Sequence, residues 1–159
     1  MAMNIEIKCT IPIKESYLEF LKVKTGQDVK NGFYDPTKTK CNFSDYLMLV
    51  FSSDYRSLGS NSVFSSGKYN AELEIKVPTR MVDSNRINIS DAFIIRIDEF
   101  IRKEFYNELT VFIEMAAQYK ITRKEAILKF MDKYNLHDFN SFDALEKWAQ
   151  RNLIYKKDK

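Results

Sequence analysis

The residues that could perform nucleophilic or acid–base chemistry are few and form no recognised constellation. His137 is the single histidine and falls in a predicted turn, and Cys9 and Cys41 are the two cysteines. The sequence contains neither a nucleophile elbow around serine nor a glycine-rich phosphate loop. Carboxylate pairs such as Asp98–Glu99 are expected on helices of a chain that is 30% charged, although an acid–base pair among them stays open. The sequence therefore predicts a protein that is not an enzyme and holds no cofactor or metal.

Basic residues are concentrated in the last quarter of the chain. Residues 119–159 contain ten Lys or Arg and six Asp or Glu, a net charge of +4, whereas residues 1–118 sum to −1. Clustered Lys and Arg attract nucleic-acid phosphates by releasing counterions, and a solvated helix surface is the alternative explanation. The predicted phosphate contacts are Lys124, Lys129, Lys133, Lys147, Arg151, Lys156 and Lys157.

Aromatic side chains in predicted loops offer a second kind of site. Residues 52–70 are rich in Ser, Asn and Gly, which predicts a mobile loop. Exposed aromatic rings anchor protein–protein interfaces, unless they fold back onto the core. The predicted partner-binding residues are Phe33, Tyr34, Tyr55 and Phe64.

Two short segments must form strands if these sites are to be positioned. Apolar and polar residues alternate in IEIKCTI, residues 5–11, and in AELEIKV, residues 71–77, and a proline follows each segment. We expect the strands to end at these prolines and to pair with each other. Their outward residues include three acidic and two basic side chains, which suits cross-strand pairing better than reading DNA.

Helical spacing predicts the remaining elements. A first helix should end at Gly26, and a second, buried helix could be capped by Ser44. A long helix over 90–119 is apolar on more than one face, which predicts a central core helix. Thr122 and Glu125 have capping-box spacing before a fourth helix, and a fifth should start near residues 140–141.

Together these elements predict an α+β fold that is predominantly α-helical. A short two-stranded β-ribbon would pack on the long central helix, followed by a C-terminal helix pair. Residues 1–119 would form the core, and residues 120–159 would form a basic unit that resembles a helix-turn-helix.

The strand followed by two helices, IEIKCTIP…SYLEFLKVKTG…FSDYLMLVF, loosely resembles the ribbon-helix-helix arrangement. The order of IPIKESYLEFLKVKTG, AELEIKVPTRM and ITRKEAILKFMDKYNL is similar to short uncharacterised proteins of bacteriophages and mobile elements. This resemblance implies a small accessory protein that is not an enzyme and binds nucleic acid, and it assigns no site residues.

The sequence thus predicts a nucleic-acid-binding accessory protein of a phage or mobile element, which contacts phosphates through the basic helix pair. The alternative is a protein–protein interaction module, such as a virion or assembly component, an adaptor or an inhibitor of a host protein. No apolar run approaches the ~20 residues that span a bilayer, and MAMNIEIKC shows no signal-peptide pattern. We therefore expect a cytoplasmic protein without a membrane partner; self-association and the choice between DNA and RNA stay open.

Overall fold

The computed structural model describes residues 7–52, 69–77 and 91–153. Within these ranges the chain forms β1 (Ile7–Ile13), α1 (Glu15–Thr25), α2 (Asn42–Ser52), β2 (Ala71–Val77), α3 (Asp91–Gln118), α4 (Arg123–Lys133) and α5 (Phe142–Asn152). This confirms the predicted α+β, mostly helical fold. The loop predicted to be mobile lies outside the described residues over 53–68. Among the helices of the described ranges, none combines the length and the hydropathy needed to cross a membrane.

β1 and β2 pair with each other, as their alternating sequences predicted. The two strands run antiparallel, with Cys9 opposite Ile75 and Ile11 opposite Leu73. Each of these four side chains is buried, while the residues between them point the other way. Burial of a large aliphatic side chain stabilises the fold by roughly 1.5–3 kcal/mol relative to exposure, so this apolar face fixes the register of the ribbon.

β1 continues through Pro12, where the sequence predicted its end. On the other edge of β2, the N–H of Tyr34 donates to the Glu74 carbonyl (2.7 Å) and its carbonyl accepts from the Lys76 N–H (2.8 Å). Alternate residues of a strand direct their backbone groups to the same edge, so Glu72 also points away from β1. Glu72 lies opposite Pro12. Pro12 therefore occupies a ladder position without a hydrogen bond, where its missing N–H loses nothing.

α1 ends at Gly26, as predicted. Gly26 adopts the left-handed conformation, with φ +74°, which glycine tolerates because it has no Cβ. At the other end, Lys14 occupies the N-cap position, but its side chain does not cap the helix. The N–H of Glu15 donates instead to Oδ1 of Asn70, at 2.8 Å.

α2 begins earlier than its suggested cap, Ser44. The Asp45 N–H donates to the Cys41 carbonyl at 3.0 Å, which places Cys41 at the N-cap and Ser44 inside the helix. The suggested cap is wrong because the Ser44 hydroxyl is buried and hydrogen-bonded to the hydroxyl of Tyr34.

The chain divides into two compact units, unit 1 (Met1–Ile101) and unit 2 (Arg102–Lys159). In unit 1, α1 lies against β2. The Tyr46 ring of α2 stacks on Phe100 of α3 with centroids 4.3 Å apart, and Phe43 lies 6.3 Å from the same ring. The first part of α3 therefore completes the core of unit 1.

Unit 2 contains the second part of α3 together with α4 and α5. Phe130 of α4 meets Phe105 and Phe112 of α3, with ring centroids 5.2 and 5.5 Å apart. In this division the boundary between the units falls inside α3, at 101/102. Thr122 caps α4, as predicted, since its side chain accepts from the Glu125 N–H at 3.2 Å. Ser141 caps α5 in the same manner.

Candidate interaction surfaces

The predicted phosphate-binding residues of unit 2 lie on α4 and α5. Five of them are exposed, namely Lys124, Lys129, Lys133, Lys147 and Arg151. Lys156 and Lys157 lie outside the described residues. Because these five side chains are exposed, each can contact an anion. Whether they form one binding surface depends on their positions on the two helices.

The three lysines of α4 do not all share one face, although Lys129 and Lys133 are four residues apart and lie on the same side. Lys124 and Lys133 are nine residues apart, about two and a half helical turns, so they lie on opposite sides of the helix. Glu125 and Asp132 occupy the exposed face between them. Their local contacts differ as well: the Lys124 ammonium lies 5.8 Å from the centroid of the Phe142 ring, whereas Lys133 lies 3.9 Å from a Glu108 carboxylate oxygen. α4 therefore presents Lys129 and Lys133 on one side, with Lys133 close to Glu108, and it has no basic surface that includes all three lysines.

α5 provides a smaller basic pair. Lys147 and Arg151 are four residues apart, which places them on the same exposed side of the helix. Within residues 7–52, 69–77 and 91–153, neither side chain forms an ion pair or a hydrogen bond. Asp143 lies one turn before Lys147 and adds a negative charge to the same row. The pair can attract a phosphate, but it carries little information about sequence.

The two predicted partner-binding aromatics that the structure describes, Phe33 and Tyr34, do not form an exposed surface. Tyr34 is 0% exposed, so the expectation that it projects from a loop is wrong. Its ring packs on Phe43 at 5.0 Å, and its backbone extends the edge of β2. Phe33 is half-buried beneath the Lys8 ammonium, 4.3 Å from the ring centroid. Tyr55 and Phe64 lie outside the described residues.

The Tyr34 hydroxyl belongs to a small polar cluster at the start of α2. It contacts the Ser44 hydroxyl and lies 3.4 Å from Sγ of Cys41. Burial opposes ionisation of the Cys41 thiol, but hydrogen bonds with Ser44, with Tyr34 and with the backbone N–H of Phe43 outweigh it and lower its pKa. We therefore expect Cys41 to react faster than Cys9, because the thiolate is the nucleophile. Sequence patterns assign no role to Cys41, because the lowered pKa of its thiol depends on Tyr34 and on the first turn of α2.

The neighbouring loop is held by hydrogen bonds among part-buried polar groups. The Gln27 amide accepts from the Asp35 N–H (2.8 Å) and donates to the Asp35 carbonyl (2.9 Å) and to Oγ1 of Thr39 (2.9 Å). The Asp35 carboxylate accepts from the N–H and the hydroxyl of Thr37, at 2.9 and 2.6 Å. Burial opposes ionisation of Asp35, yet these bonds and the nearby Lys76 lower its pKa overall. The network fixes the loop that carries Tyr34 and leaves its groups occupied.

α3 exposes an apolar row that the sequence interpretation missed. Val111 and Met115 are four residues apart on α3. Tyr119 lies four residues after Met115 and directly follows the end of the helix. We call these three residues the α3 stripe. They are 45%, 54% and 72% exposed. Phe105 and Leu109 lie on the other side of α3 and are fully buried. The sequence predicted a central core helix, whereas one side of the second part of α3 is exposed.

Acidic side chains border the α3 stripe. Residues 104–119 contain three glutamates and no Lys or Arg. Glu104 and Glu108 lie seven residues before Val111 and Met115, about two turns along the same side of the helix. Glu108 accepts a hydrogen bond from the Tyr134 hydroxyl at 2.9 Å and is also close to Lys133. Glu104 makes no ion pair with any residue that the structure describes.

The described residues contain no group of three or more His, Cys, Asp or Glu side chains that could hold a metal ion. His137 is exposed, and its ring contacts the Asp132 carboxylate. Comparison with protein-family models, with curated proteins and with solved structures gave no match. The candidate sites are therefore the α3 stripe, the basic pair of α5 and the Cys41 thiol.

Proposed function

We propose that the chain is a protein-binding module and that its partner docks on the α3 stripe. One observation supports this: Val111 and Met115 on one side of α3, and Tyr119 just after its end, form a row of large apolar side chains that are 45–72% exposed. Single exposed apolar residues are normal on protein surfaces, as with Val23 on α1 and Leu49 on α2. A row of three is a feature of binding surfaces.

The side chains of the α3 stripe suit such a role. Tyr119 combines a large apolar ring with a hydroxyl that can stay hydrated, which makes tyrosine a frequent interface anchor. Met115 is unbranched and adapts its shape to the facing surface. In this proposal the α3 stripe takes the place of the loop aromatics Phe33 and Tyr34, which pack within unit 1. Both cysteines are free, which suits a reducing, cytoplasmic setting.

The test is affinity capture from cells that express the chain in its wild-type form or with one substitution. Met115→Lys places a charge at the centre of the α3 stripe, so it should reduce recovery of a stoichiometric partner at least about tenfold. Gln150→Lys adds the same charge at an exposed position of α5 and serves as the matched control. A partner that is retained equally by both variants would contradict the proposed docking site.

A second candidate function is nucleic-acid binding, as the sequence resemblance to phage and mobile-element accessory proteins implies. It is favoured by Lys147 and Arg151, which are exposed on one side of α5 and free of protein partners within the described residues. Two cations make a small footprint, so we expect weak binding through the phosphates without sequence preference.

Fluorescence anisotropy with labelled single- and double-stranded DNA and RNA tests this second candidate. Affinity should fall as salt rises, and the double variant Lys147→Ala/Arg151→Ala should lower the salt slope by about two. Lys38→Ala/Lys40→Ala removes two exposed positive charges from unit 1 and is the control. Binding that is absent at low salt, or equally weakened by both double variants, would rule out the α5 pair as the contact.

A further inference from the structure

We infer that the partner presents a short basic amphipathic helix, which lies along the α3 stripe with Lys or Arg side chains at the Glu104 end. The inference rests on the proposed protein-binding function and adds the chemistry of the partner. It follows from the length of the stripe, from the charge beside it and from its small size.

The length of the α3 stripe sets the length of the partner segment. Val111 and Tyr119 are eight residues apart, which corresponds to about 12 Å along a helix axis at 1.5 Å per residue. A helix of two to three turns covers this distance. Apolar residues spaced i, i+4 on that helix would meet the i, i+4 row of α3, as in other complexes in which a helix docks on an apolar face.

The charge beside the α3 stripe selects a basic partner. Glu104 and Glu108 lie on the side of α3 that carries the stripe, whereas Arg102 lies on the opposite side, and Lys103 and Lys120 flank the segment. Lys133 already offsets Glu108, so the attraction is strongest near Glu104, where no ion pair with the described residues exists. Lys or Arg on the partner would complement this charge, and Asp or Glu would be repelled, because complementary charge selects partners and fixes their register.

A second copy of the chain is a poorer occupant. Pairing two α3 stripes would bring together two segments that each contain three glutamates, and like charges disfavour such a contact. A stable interface between folded proteins also buries roughly 800 Å² on each partner, far more than three partly exposed side chains provide. A single helix requires less area and introduces the missing positive charge.

The experiment uses two synthetic helical peptides of about 18 residues, long enough to be helical in solution. Both carry the same i, i+4 row of leucines, bordered in one peptide by lysines and in the other by glutamates. Fluorescence anisotropy measures their binding to the full chain. The lysine-bordered peptide should bind at least about tenfold more tightly than the glutamate-bordered peptide.

Variants of the full chain locate the binding. Met115→Lys should weaken the lysine-bordered peptide about tenfold or more, Glu104→Lys about three- to tenfold, and Gln150→Lys within about twofold. Circular dichroism confirms that each variant keeps its fold. Equal affinity for the two peptides would overturn the inference. So would an affinity for the lysine-bordered peptide that neither Met115→Lys nor Glu104→Lys changes.

Two further results separate this inference from the function on which it rests. If neither peptide binds but capture of a cellular partner still depends on Met115, the basic-helix partner is wrong and the protein-binding function stands. If light scattering shows a dimer that Met115→Lys converts to a monomer, a second copy occupies the stripe and the inference is wrong. Loss of both peptide binding and Met115-dependent capture removes the function as well.

Discussion

α1 and α4 have the same length of 11 residues but begin in different ways. The first N–H of α1 is satisfied by the side chain of Asn70, which lies 55 residues from Glu15 in the sequence. The start of α4 is satisfied by Thr122, three residues from its donor Glu125. Other contacts of unit 1 also connect segments that are distant in the sequence, namely the strand pair and the bridge between Tyr34 and β2.

This difference decides what each unit can expose. In unit 1 the polar loop residues are needed to connect distant segments, so Tyr34 and Asp35 are buried and their polar groups have partners. In unit 2 the helices are capped by neighbouring residues, and α3 has one side left for the apolar row at Val111 and Met115. A surface that is unnecessary for folding is available for binding.

The largest expected difference between the two units is the loss of stability when a tyrosine of each is truncated to alanine. Tyr34→Ala removes a fully buried ring and leaves the buried Ser44 hydroxyl with fewer partners, so it should lower the free energy of unfolding by about 3–5 kcal/mol. Tyr119→Ala removes a ring that is 72% exposed and should change the same quantity by less than about 0.5 kcal/mol.

Urea unfolding followed by circular dichroism measures both values. Tyr34→Phe keeps the ring and removes only the hydroxyl, so its loss should be smaller, about 1–3 kcal/mol. If Tyr119→Ala destabilised the chain as strongly as Tyr34→Ala, the α3 stripe would be part of the folded core and could not serve as a docking surface.

The two cysteines should differ about a hundredfold or more in their rate of alkylation at neutral pH. Burial raises the pKa of Cys9 to about 11, whereas hydrogen bonds at the start of α2 outweigh burial and hold the pKa of Cys41 below the ordinary value of 9.0. Two pKa units correspond to about a hundredfold difference in thiolate fraction. Iodoacetamide labelling with mass spectrometry of the peptides follows each site separately.

Tyr34→Phe sharpens this result, because it removes one of the hydrogen bonds that lower the pKa of Cys41. Labelling of Cys41 should become slower in that variant, and labelling of Cys9 should be unchanged while the chain stays folded. Equal rates at the two cysteines in the wild-type chain would show that the polar cluster of Tyr34, Ser44 and Cys41 does not form.

The Asp35 carboxylate should make part of the stability of unit 1 depend on pH. Its pKa is lower in the folded state than the ordinary 3.8, so the unfolded state binds the proton more tightly. The contribution is therefore complete above about pH 5 and is lost as the pH falls through the lowered pKa. Asp35→Asn should lower the free energy of unfolding by about 1–3 kcal/mol at pH 6.

The difference between the wild-type chain and Asp35→Asn should shrink when urea unfolding is repeated at pH 4.5 and pH 3.5. The substitution preserves the shape of the side chain, and it therefore isolates the charge that Thr37 and Lys76 surround. A difference that is constant between pH 6 and pH 3.5 would mean that the carboxylate has no special stabilisation in the fold.

Local signals made much of this fold predictable. Alternation predicted both strands and their pairing, Gly26 predicted the end of α1, and the spacing of Thr122 and Glu125 predicted the start of α4. Each of these sequence signals either involves residues close together in the chain or is a pattern shared by two segments that pair. The strand pair belongs to the second kind, because residues 5–11 and 71–77 carry the same alternation.

The exposure of side chains was less predictable. Polar composition suggested an open loop around Tyr34, but burial there depends on β2, to which Tyr34 bonds across a long stretch of sequence. Periodicity identified apolar rows on α3 without telling which row the other helices of unit 2 cover. The net charge of residues 119–159 likewise does not say on which side of a helix each charged side chain lies. The nine-residue spacing of Lys124 and Lys133 places them on opposite sides of α4.

The caps of α1 and α4, Asn70 and Thr122, should make similar and modest contributions to the free energy of unfolding. Asn70→Ala and Thr122→Ala each remove one side-chain acceptor from a helix N-terminus, and each should lower the free energy of unfolding by about 1 kcal/mol. Asn70→Asp and Thr122→Ser keep an acceptor and should recover most of the loss. If Asn70→Ala were neutral while Thr122→Ala was not, water would satisfy the first turn of α1, and the long-range connections of unit 1 would reduce to its strands and the Tyr34 loop.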